Sequence, residues 1–214
     1  RSYPIYRHEK VIFEGGNDLR LRPKNWVVLG VWVLLVLAGI IALFTARWSL
    51  AFVAMATLML SLLPEIFAEK FKIKLPQSFI GFIVTFIFAS IFLGEAADFY
   101  ERLWWWDIAL HGTASIGFGL IGFLFIFMLF AGDRFAAPPI ALALIAFCVA
   151  VAIGVTWEIF EFAMDQVFGL NLQKSGLLDT MGDLIVDMLG AFLGATAGYL
   201  FLKGRRFGGL AAMI

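Results

Sequence analysis

The sequence predicts an all-α protein, a polytopic transmembrane bundle of six helices. Hydrophobic residues make up 62% of the chain and charged residues only 15%, and the mean hydropathy is +0.94. Average soluble domains are about 45–50% apolar and about 25% charged. The apolar residues lie in runs of the roughly 20 residues that a helix needs to cross a bilayer. The chain therefore belongs in a membrane, and its formal net charge of zero argues against nucleic acid as a partner.

Six apolar runs are long enough to span the membrane. We assign them to residues 26–46, 48–68, 79–100, 108–131, 140–162 and 183–202. Only Arg47 separates the first two runs, which predicts a tight hairpin. Pro76 and the pair Pro138-Pro139 precede the third and fifth runs, where proline suits the first turn of a helix. Residues 25–203 thus form one transmembrane domain between two tails, residues 1–24 and 204–214.

The basic residues predict the orientation of these helices. With six spans, thirteen of the 16 Lys and Arg residues fall on the side of both termini. The other three, Arg47, Arg102 and Lys174, fall on the opposite side. Because short cytoplasmic segments carry the excess of Lys and Arg, both termini are expected to be cytoplasmic. Residues 169–178 then form an outer loop, which fits either a movable or substrate-facing segment or a simple connector.

Acidic residues gather at the ends of the last four runs. Ten of the 16 acids lie there: Glu95, Asp98, Glu101, Asp107, Glu158, Glu161, Asp165, Asp179, Asp183 and Asp187. Ionisable groups beside membrane helices are costly, and they usually serve a function. Glu101, Asp165 and Asp179 also fit simple solvation at the interface. The remaining seven are the candidates for a site, together with His111.

A count of residues places the candidates at one depth. At about 1.5 Å per residue from the inner end of each run, Glu95 lies about 24 Å and Glu158 about 27 Å into the membrane. His111 lies about 28 Å and Asp187 about 22 Å from the inner ends of their own runs. The hydrocarbon core is roughly 30 Å thick. Four separate helices therefore bring these groups to one level, just below the outer interface.

The candidates also share helix faces. The pairs are Glu95 with Asp98, Asp107 with His111, Glu158 with Glu161, and Asp183 with Asp187. Members of each pair are three or four residues apart, so both lie on one side of their helix, and that side turns inward because lipid does not accept it. On the last helix the same face continues as Gly190, Gly194 and Gly198, whose spacing lets another helix approach closely.

The chemistry of the cluster favours a divalent cation. Several carboxylates cannot all be ionised in a low-dielectric pocket unless protons or cations neutralise them. Mostly oxygen ligands with one histidine favour Mn²⁺, Mg²⁺ or Ca²⁺ over Zn²⁺. The expected metal ligands are Glu95, Asp98, Asp107, His111, Asp183 and Asp187, with Glu158 and Glu161 as catalytic carboxylates. Such a centre polarises a phosphoryl or carbonyl oxygen of a lipid or lipid-linked substrate.

Two other functions stay open at this point. Intramembrane acids also mark ion and proton paths, so the chain fits an ion or proton transporter. Against this, the inner halves of the helices carry only scattered hydroxyls such as Thr85, Ser90 and Thr196. The acids could instead form hydrogen-bonded pairs in an accessory or structural subunit. Membrane lipids are the expected contacts, and both a homo-oligomer and a larger membrane assembly remain open.

Most of the candidate residues lie in four motifs: Asp98-Phe-Tyr, Trp106-Asp107-x-x-x-His111, Trp157-Glu158-Ile-Phe-Glu161 and Asp179-Thr-Met-Gly-Asp183-x-x-x-Asp187-x-x-Gly190-Ala. At these motifs the chain resembles the YjdF-like family of bacterial multi-pass inner-membrane proteins. The last block is also similar to the Asp-x-x-x-Asp/Asn-x-x-Gly helix of VanZ-like envelope proteins, with Asp187 where those usually have Asn. The resemblance implies a bacterial plasma-membrane location. The VanZ-like similarity favours an envelope or lipid substrate.

Overall fold

The computed structural model describes residues 25–72, 75–130 and 138–206, and the regular elements in these ranges are helical. They are α1 (Trp26–Phe44), α2 (Trp48–Lys70), α3 (Gln77–Ile87) with a π-helical continuation (Phe88–Ala96), α4 (Phe99–Arg102), α5 (Trp106–Phe130), α6 (Pro139–Phe168) and α7 (Leu177–Arg206). Six segments of this described part are long and apolar enough to cross a membrane. The predicted all-α, six-span architecture is confirmed. The N-terminal tail, 1–24, lies outside the described residues, as does the C-terminal tail beyond Arg206.

Residues before Phe86 form one compact unit. The Asn25 side chain caps α1 by accepting a hydrogen bond from the Val27 amide, at 2.9 Å. At the other end of α1, the Arg47 amide donates to the carbonyl of Ala42, and α2 begins at the next residue. The tight hairpin predicted at Arg47 is therefore present. Val28 packs with Ile80 and Val84 in the buried core of this unit.

The second unit begins at Phe86 and contains α5, α6 and α7, which pack against one another. Its buried core comprises Phe123, Ile126, Leu142, Ala143, Ala146, Ala195 and Leu202. α6 begins with a proline at its first turn, as predicted, and ends at Gly169, whose φ of 66° is the left-handed conformation that closes many helices. This three-helix core fixes the positions of the candidate site residues on α5, α6 and α7.

Small residues let α5 and α7 come into backbone contact. A Cβ on Gly190 would lie 2.9 Å from the carbonyl oxygen of Gly112, and one on Gly194 would lie 3.1 Å from the Cα of Gly119. Side chains at these positions would therefore separate the helices. The close approach predicted for the glycine face of the last helix is thus confirmed, and it fixes the distance between α5 and α7 along the rows that carry His111 and Asp187.

Most element ends differ from the sequence-based assignment by one to six residues, and three of these differences affect the segments near the candidate site. The third span stops at Ala96 rather than at residue 100, because its last nine residues are π-helical and Asp98 then takes a left-handed conformation with φ 56°. α6 continues to Phe168 and α7 begins at Leu177, just after Gly176, which has φ 67°. These added turns are polar or mixed in composition, so a search for apolar runs alone does not detect them. The intervening loop is correspondingly short, residues 169–176.

Candidate functional site

His111 lies at the centre of a buried polar cluster formed by α5, α6 and α7. Only 8% of the residue is exposed. Its Nδ1 lies 3.3 Å from Oδ1 of Asp187 on α7. Its Nε2 lies 3.8 Å from Oδ1 of Asp107, one turn earlier on α5, and 3.8 Å from Oε1 of Glu158 on α6. One imidazole therefore connects carboxylates from all three helices.

Asp187 is held in place from two sides. The Ser115 hydroxyl, one turn after His111 on α5, donates to Oδ1 of Asp187 at 2.5 Å. On α6, Gly154 provides the space for the carboxylate, because a Cβ there would lie 2.9 Å from Cγ of Asp187. When the Nδ1–H of His111 donates to Asp187, the lone pair of Nε2 faces Asp107 and Glu158. This carboxylate–histidine arrangement is the one that orients histidine ligands at metal sites.

Asp107, His111 and Asp183 have the spacing of a metal-binding group. One potential ligand atom from each lies within 4.8 Å of the others, which is the single such group among the described residues. Ligands about 2.1–2.4 Å from a shared cation lie at most about 4.2–4.8 Å apart, so the spacing suits an ion at their centre. His111 and Asp183 are buried and Asp107 is half-buried. The site is thus closed to bulk solvent on most sides.

Some buried oxygens of the cluster lack hydrogen-bond partners. Both carboxylate oxygens of Glu158 are in this state, as is Oδ2 of Asp187, although each residue is only 3% exposed. The hydroxyl of Thr180 lies near Glu158 but does not meet hydrogen-bond geometry. A buried carboxylate without a hydrogen-bond partner carries a large desolvation penalty unless a proton or a cation compensates it. These oxygens mark where a positive charge would stabilise the cluster.

A cavity of about 730 Å³ adjoins the cluster. Its lining includes Asp107, His111 and Asp187. Glu161 of α6 also lines it. Most of the remaining lining is apolar and comes from Phe86, Leu110, Phe118, Val149, Ile153 and Phe160. Ligand-binding cavities commonly have volumes of about 300–1,000 Å³ and combine apolar walls with a few polar groups. The cavity is therefore large enough for a ligand that contacts the cluster.

The loop between α6 and α7 is anchored to the ends of these helices. The Asp165 carboxylate accepts hydrogen bonds from the amides of Leu172 and Gln173, at 2.7 and 2.9 Å. Lys174 then donates to Glu101 of α4 at 2.8 Å, and its ammonium group lies 5.6 Å from the ring centre of Tyr100. The loop therefore joins α4 beside the cavity wall.

Charge states in this loop region follow from its contacts. The hydrogen bond from Lys174 lowers the pKa of Glu101 below its usual value. Partial burial acts against the charge of Lys174, but the hydrogen bond and attraction to Glu101 outweigh it and raise the pKa of the lysine. Burial raises the pKa of Tyr100 to about 12, so its phenol remains protonated. Tyr100 is thus a neutral hydrogen-bonding group on the cavity wall, 3.3 Å from Oγ of Ser90.

The structure brings together five of the eight residues proposed from sequence: Asp107, His111, Glu158, Asp183 and Asp187. Glu161 lines the same cavity as His111 and accepts a hydrogen bond from Trp157 Nε1 at 3.0 Å. Glu95 and Asp98 are exposed, and Asp98 pairs with Arg102 at 3.4 Å. Neither belongs to the metal-binding group found among the described residues.

Ser115 and Tyr100 are site residues that the sequence analysis did not select. Ser115 stands four residues after His111, at the spacing that places two residues on one helix face, so this spacing could have identified it. Tyr100 had no comparable indication. It was assigned to the end of a transmembrane run, and it reaches the cavity because the helix is interrupted at Asp98.

Six apolar spans and a buried group of carboxylates around one histidine define a polytopic membrane protein with an enclosed acidic site. The chain belongs to the DUF2238 family of predicted membrane proteins, whose pattern matches residues 24–204. It is 33% identical over 145 residues to an uncharacterized protein of Thermotoga maritima, a stretch that covers 67% of this chain and 73% of the relative. No solved structure shows a significant match to the chain.

Proposed function

We propose that this protein is a bacterial inner-membrane protein that binds a divalent metal and acts on a lipid or lipid-linked envelope substrate. Both termini are placed in the cytoplasm because the basic residues favour that side. The buried cluster then lies near the outer leaflet. The envelope part of the proposal draws on the Asp-x-x-x-Asp-x-x-Gly pattern of residues 183–190, which resembles the corresponding helix of VanZ-like proteins.

The observation that carries the metal proposal is the buried carboxylate of Glu158, which has no hydrogen-bond partner and lies 3.8 Å from Nε2 of His111. Nearby, Asp107, His111 and Asp183 have ligand atoms within 4.8 Å of one another. Leaving Glu158 ionised here without a cation would cost several kcal/mol by the usual penalty for a buried charge. A divalent ion bound between these groups offsets that penalty and uses the oxygens that have no hydrogen bond.

The donor set suggests which ions would bind. Asp107 and Asp183 supply oxygen ligands and His111 supplies Nε2, with Glu158 next to them. Mostly carboxylate ligands favour Mn²⁺, Mg²⁺ or Ca²⁺, and one imidazole is compatible with Mn²⁺ and less often with Zn²⁺. Asp187 would not be a ligand of this ion. It would instead orient the ligand His111 through the contact with Nδ1.

The two glutamates of α6 have different surroundings and so suit different roles. Glu158 contacts His111 and fits a metal ligand better than a proton-transfer group. Glu161 lines the cavity and can exchange a proton with a bound molecule. When bound, the ion would supply Lewis-acid polarisation of a phosphoryl or carbonyl oxygen. Glu161 would then be the residue that accepts or donates the proton.

Transport of ions through the second unit is the less favoured function. The side of the cluster toward the far ends of α5, α6 and α7 is filled by an apolar core that includes Phe123, Leu142 and Ala146. A proton or ion path needs polar groups on both sides of its binding site. The described residues of this core offer none, so the cluster lies at the end of a cavity rather than along a path.

Elemental analysis of the purified protein tests the metal proposal. The protein is purified without added chelator and dialysed to remove loosely bound trace metals. It should then contain about one divalent ion per chain. Asp183→Asn and His111→Gln should lower the affinity at least about 10–100-fold. Asp98→Asn is the matched control, since it makes the same chemical change at an exposed carboxylate and should leave the metal content unchanged.

Each outcome of the elemental analysis has a defined meaning. Equal metal content in the wild type and Asp183→Asn would refute the metal centre. Loss of the metal in Asp98→Asn would instead place the ion near α4. With the metal established, turnover of phospholipid and lipid-linked phosphate probes separates an enzyme from an accessory subunit. Metal-dependent turnover that Glu161→Gln abolishes supports the assigned function, and cation flux in liposomes without turnover contradicts it.

A further inference from the structure

The cavity beside the cluster is polar at one end and apolar along the rest of its length. On α5 its lining begins with Asp107 and His111 and continues through Ala114 to Phe118. On α6 it begins with Glu161 and continues through Ile153 to Val149. Both helices therefore place their charged groups at the same end, and Asp187 of α7 extends the polar part as far as Ser115 and Gly154. The cavity has the polarity of an amphiphile, with a compact polar head and an apolar chain.

The length of the cavity matches a membrane lipid chain. Glu161 and Val149 are twelve residues apart, which is about 18 Å along a helix. Asp107 and Phe118 are eleven residues apart, or about 17 Å along α5. One leaflet contributes about half of a hydrocarbon core that is roughly 30 Å thick. The lined part of the cavity, with its polar end included, therefore extends through about the depth of one leaflet.

One wall of the cavity packs less closely than the others. α5, α6 and α7 pack closely with one another, whereas the π-helical segment Phe88–Ala96 joins this group mainly through α4. Phe86 and Ser90 nevertheless form the wall opposite α6. The cavity thus occupies the space between a π-helical segment and α6. π-Helical turns are rare and frequently accompany functional sites.

We infer that this cavity binds the hydrocarbon chain of a membrane lipid whose reacting carbonyl or phosphoryl group adjoins the chain. The inference rests on the proposed function and adds the substrate class to it. The apolar lining starts at Ala114, only three residues or about 4.5 Å beyond His111. A reacting group near the cluster is therefore within a few bonds of the chain, as in an acyl ester or a prenyl phosphate. A substrate whose reacting bond lies at the far end of a long polar head does not fit this geometry.

Photo-crosslinking of the full chain in lipid nanodiscs tests the inference. The probes are two palmitoyl phosphatidic acid analogues, one with a diazirine near the carboxyl end of the chain and one with a diazirine near its methyl end. Peptide mass spectrometry should find the first probe near Leu110 and the second near Phe118 and Val149. The variant Ala152→Phe, which fills the cavity, should reduce both labels by about tenfold or more.

The matched control is Ala197→Phe, the same substitution at an exposed position of α7 that does not line the cavity. It should retain the labelling of the wild type. The inference would be overturned if Ala152→Phe left the labelling unchanged. It would also be overturned if the two probes labelled the same residues. Metal content measured on the same samples separates the two proposals. If Ala152→Phe retains the metal but loses the label, lipid binding in the cavity is supported. If Asp183→Asn retains the metal, the metal proposal fails, even when the probes still label the cavity.

Discussion

The substitution Gly154→Ala tests whether close packing between α6 and α7 positions the cluster. A Cβ at this position would lie 2.9 Å from Cγ and 3.1 Å from Cβ of Asp187. The Asp187 side chain cannot rotate away without losing its contacts with Ser115 and His111. The added methyl group therefore forces the helices apart or displaces the carboxylate. Either response disturbs the residue that orients His111.

The expected effect on stability follows from two opposing contributions. Overpacking a filled interior typically costs about 1–3 kcal/mol. Alanine in place of glycine in a helix contributes about 1 kcal/mol in the opposite direction. Gly154→Ala is thus expected to destabilise by about 0–2 kcal/mol, which lowers the melting temperature by up to about 8 °C for a chain of this length. The displaced Asp187 is further expected to weaken metal binding by about 10–100-fold.

Gly117→Ala is the control, because a Cβ at this position of α5 meets nothing within 4 Å. Only the helix preference remains, so this variant should melt about 2–4 °C above the wild type. Thermal unfolding in detergent, followed by intrinsic fluorescence, compares the two variants. Gly154→Ala should melt below Gly117→Ala by about 2–12 °C. Equal melting temperatures together with unchanged metal affinity would refute the packing argument.

Three further predictions concern the loop and the helix contact. Asp165→Ala removes the acceptor of two loop amides, so hydrogen exchange at these amides should accelerate about tenfold or more, and unchanged exchange would contradict the anchoring. Gly194→Ala places a Cβ against the backbone of α5, so it should lower the yield of folded protein on size-exclusion chromatography. Gly182→Ala is the control, because a Cβ there meets nothing within 4 Å, and it should leave the yield unchanged. The pair of Glu101 with Lys174 should persist above the lowered pKa of the acid and below the raised pKa of the lysine. The protection of the loop amides, that is, their exchange corrected for its intrinsic pH dependence, should therefore fall only as the pH drops below the ordinary carboxyl value of 4.5 or rises above the ordinary lysine value of 10.5. Glu101→Gln should abolish the acid response.

Much of the fold could be predicted because the bilayer imposes it. The apolar runs, the hairpin at Arg47 and the glycine face of α7 follow from helix length and spacing, and these were confirmed. The ends of α6 and α7 could not be found in the same way. Their additional turns contain residues such as Asp165 and Asp179, which lower the hydropathy although the backbone stays helical. Glycines with positive φ, rather than a change in hydropathy, close the loop between them.

The proximity of the candidate site residues was predictable where the helices are regular. His111 and Asp187 were placed at one depth by counting 1.5 Å per residue, and they lie 3.3 Å apart. The same count placed Glu95 at that depth, but it assumed α-helical turns throughout. Wider π-helical turns from Phe88 to Ala96 change both the rise and the direction of the side chains, and Glu95 is exposed. Sequence periodicity alone gave no indication of this change.

The length of the hairpin formed by α6 and α7 has a consequence for access from outside the cell membrane. Each helix has 30 residues and is about 45 Å long. Fitting 45 Å into a hydrocarbon layer of roughly 30 Å by tilting alone would need about 48°, more than the 0–40° that membrane helices show. Part of the hairpin therefore emerges into water. If its loop end is the part that emerges, and the termini are cytoplasmic as proposed, proteases added to spheroplasts can reach residues 169–176.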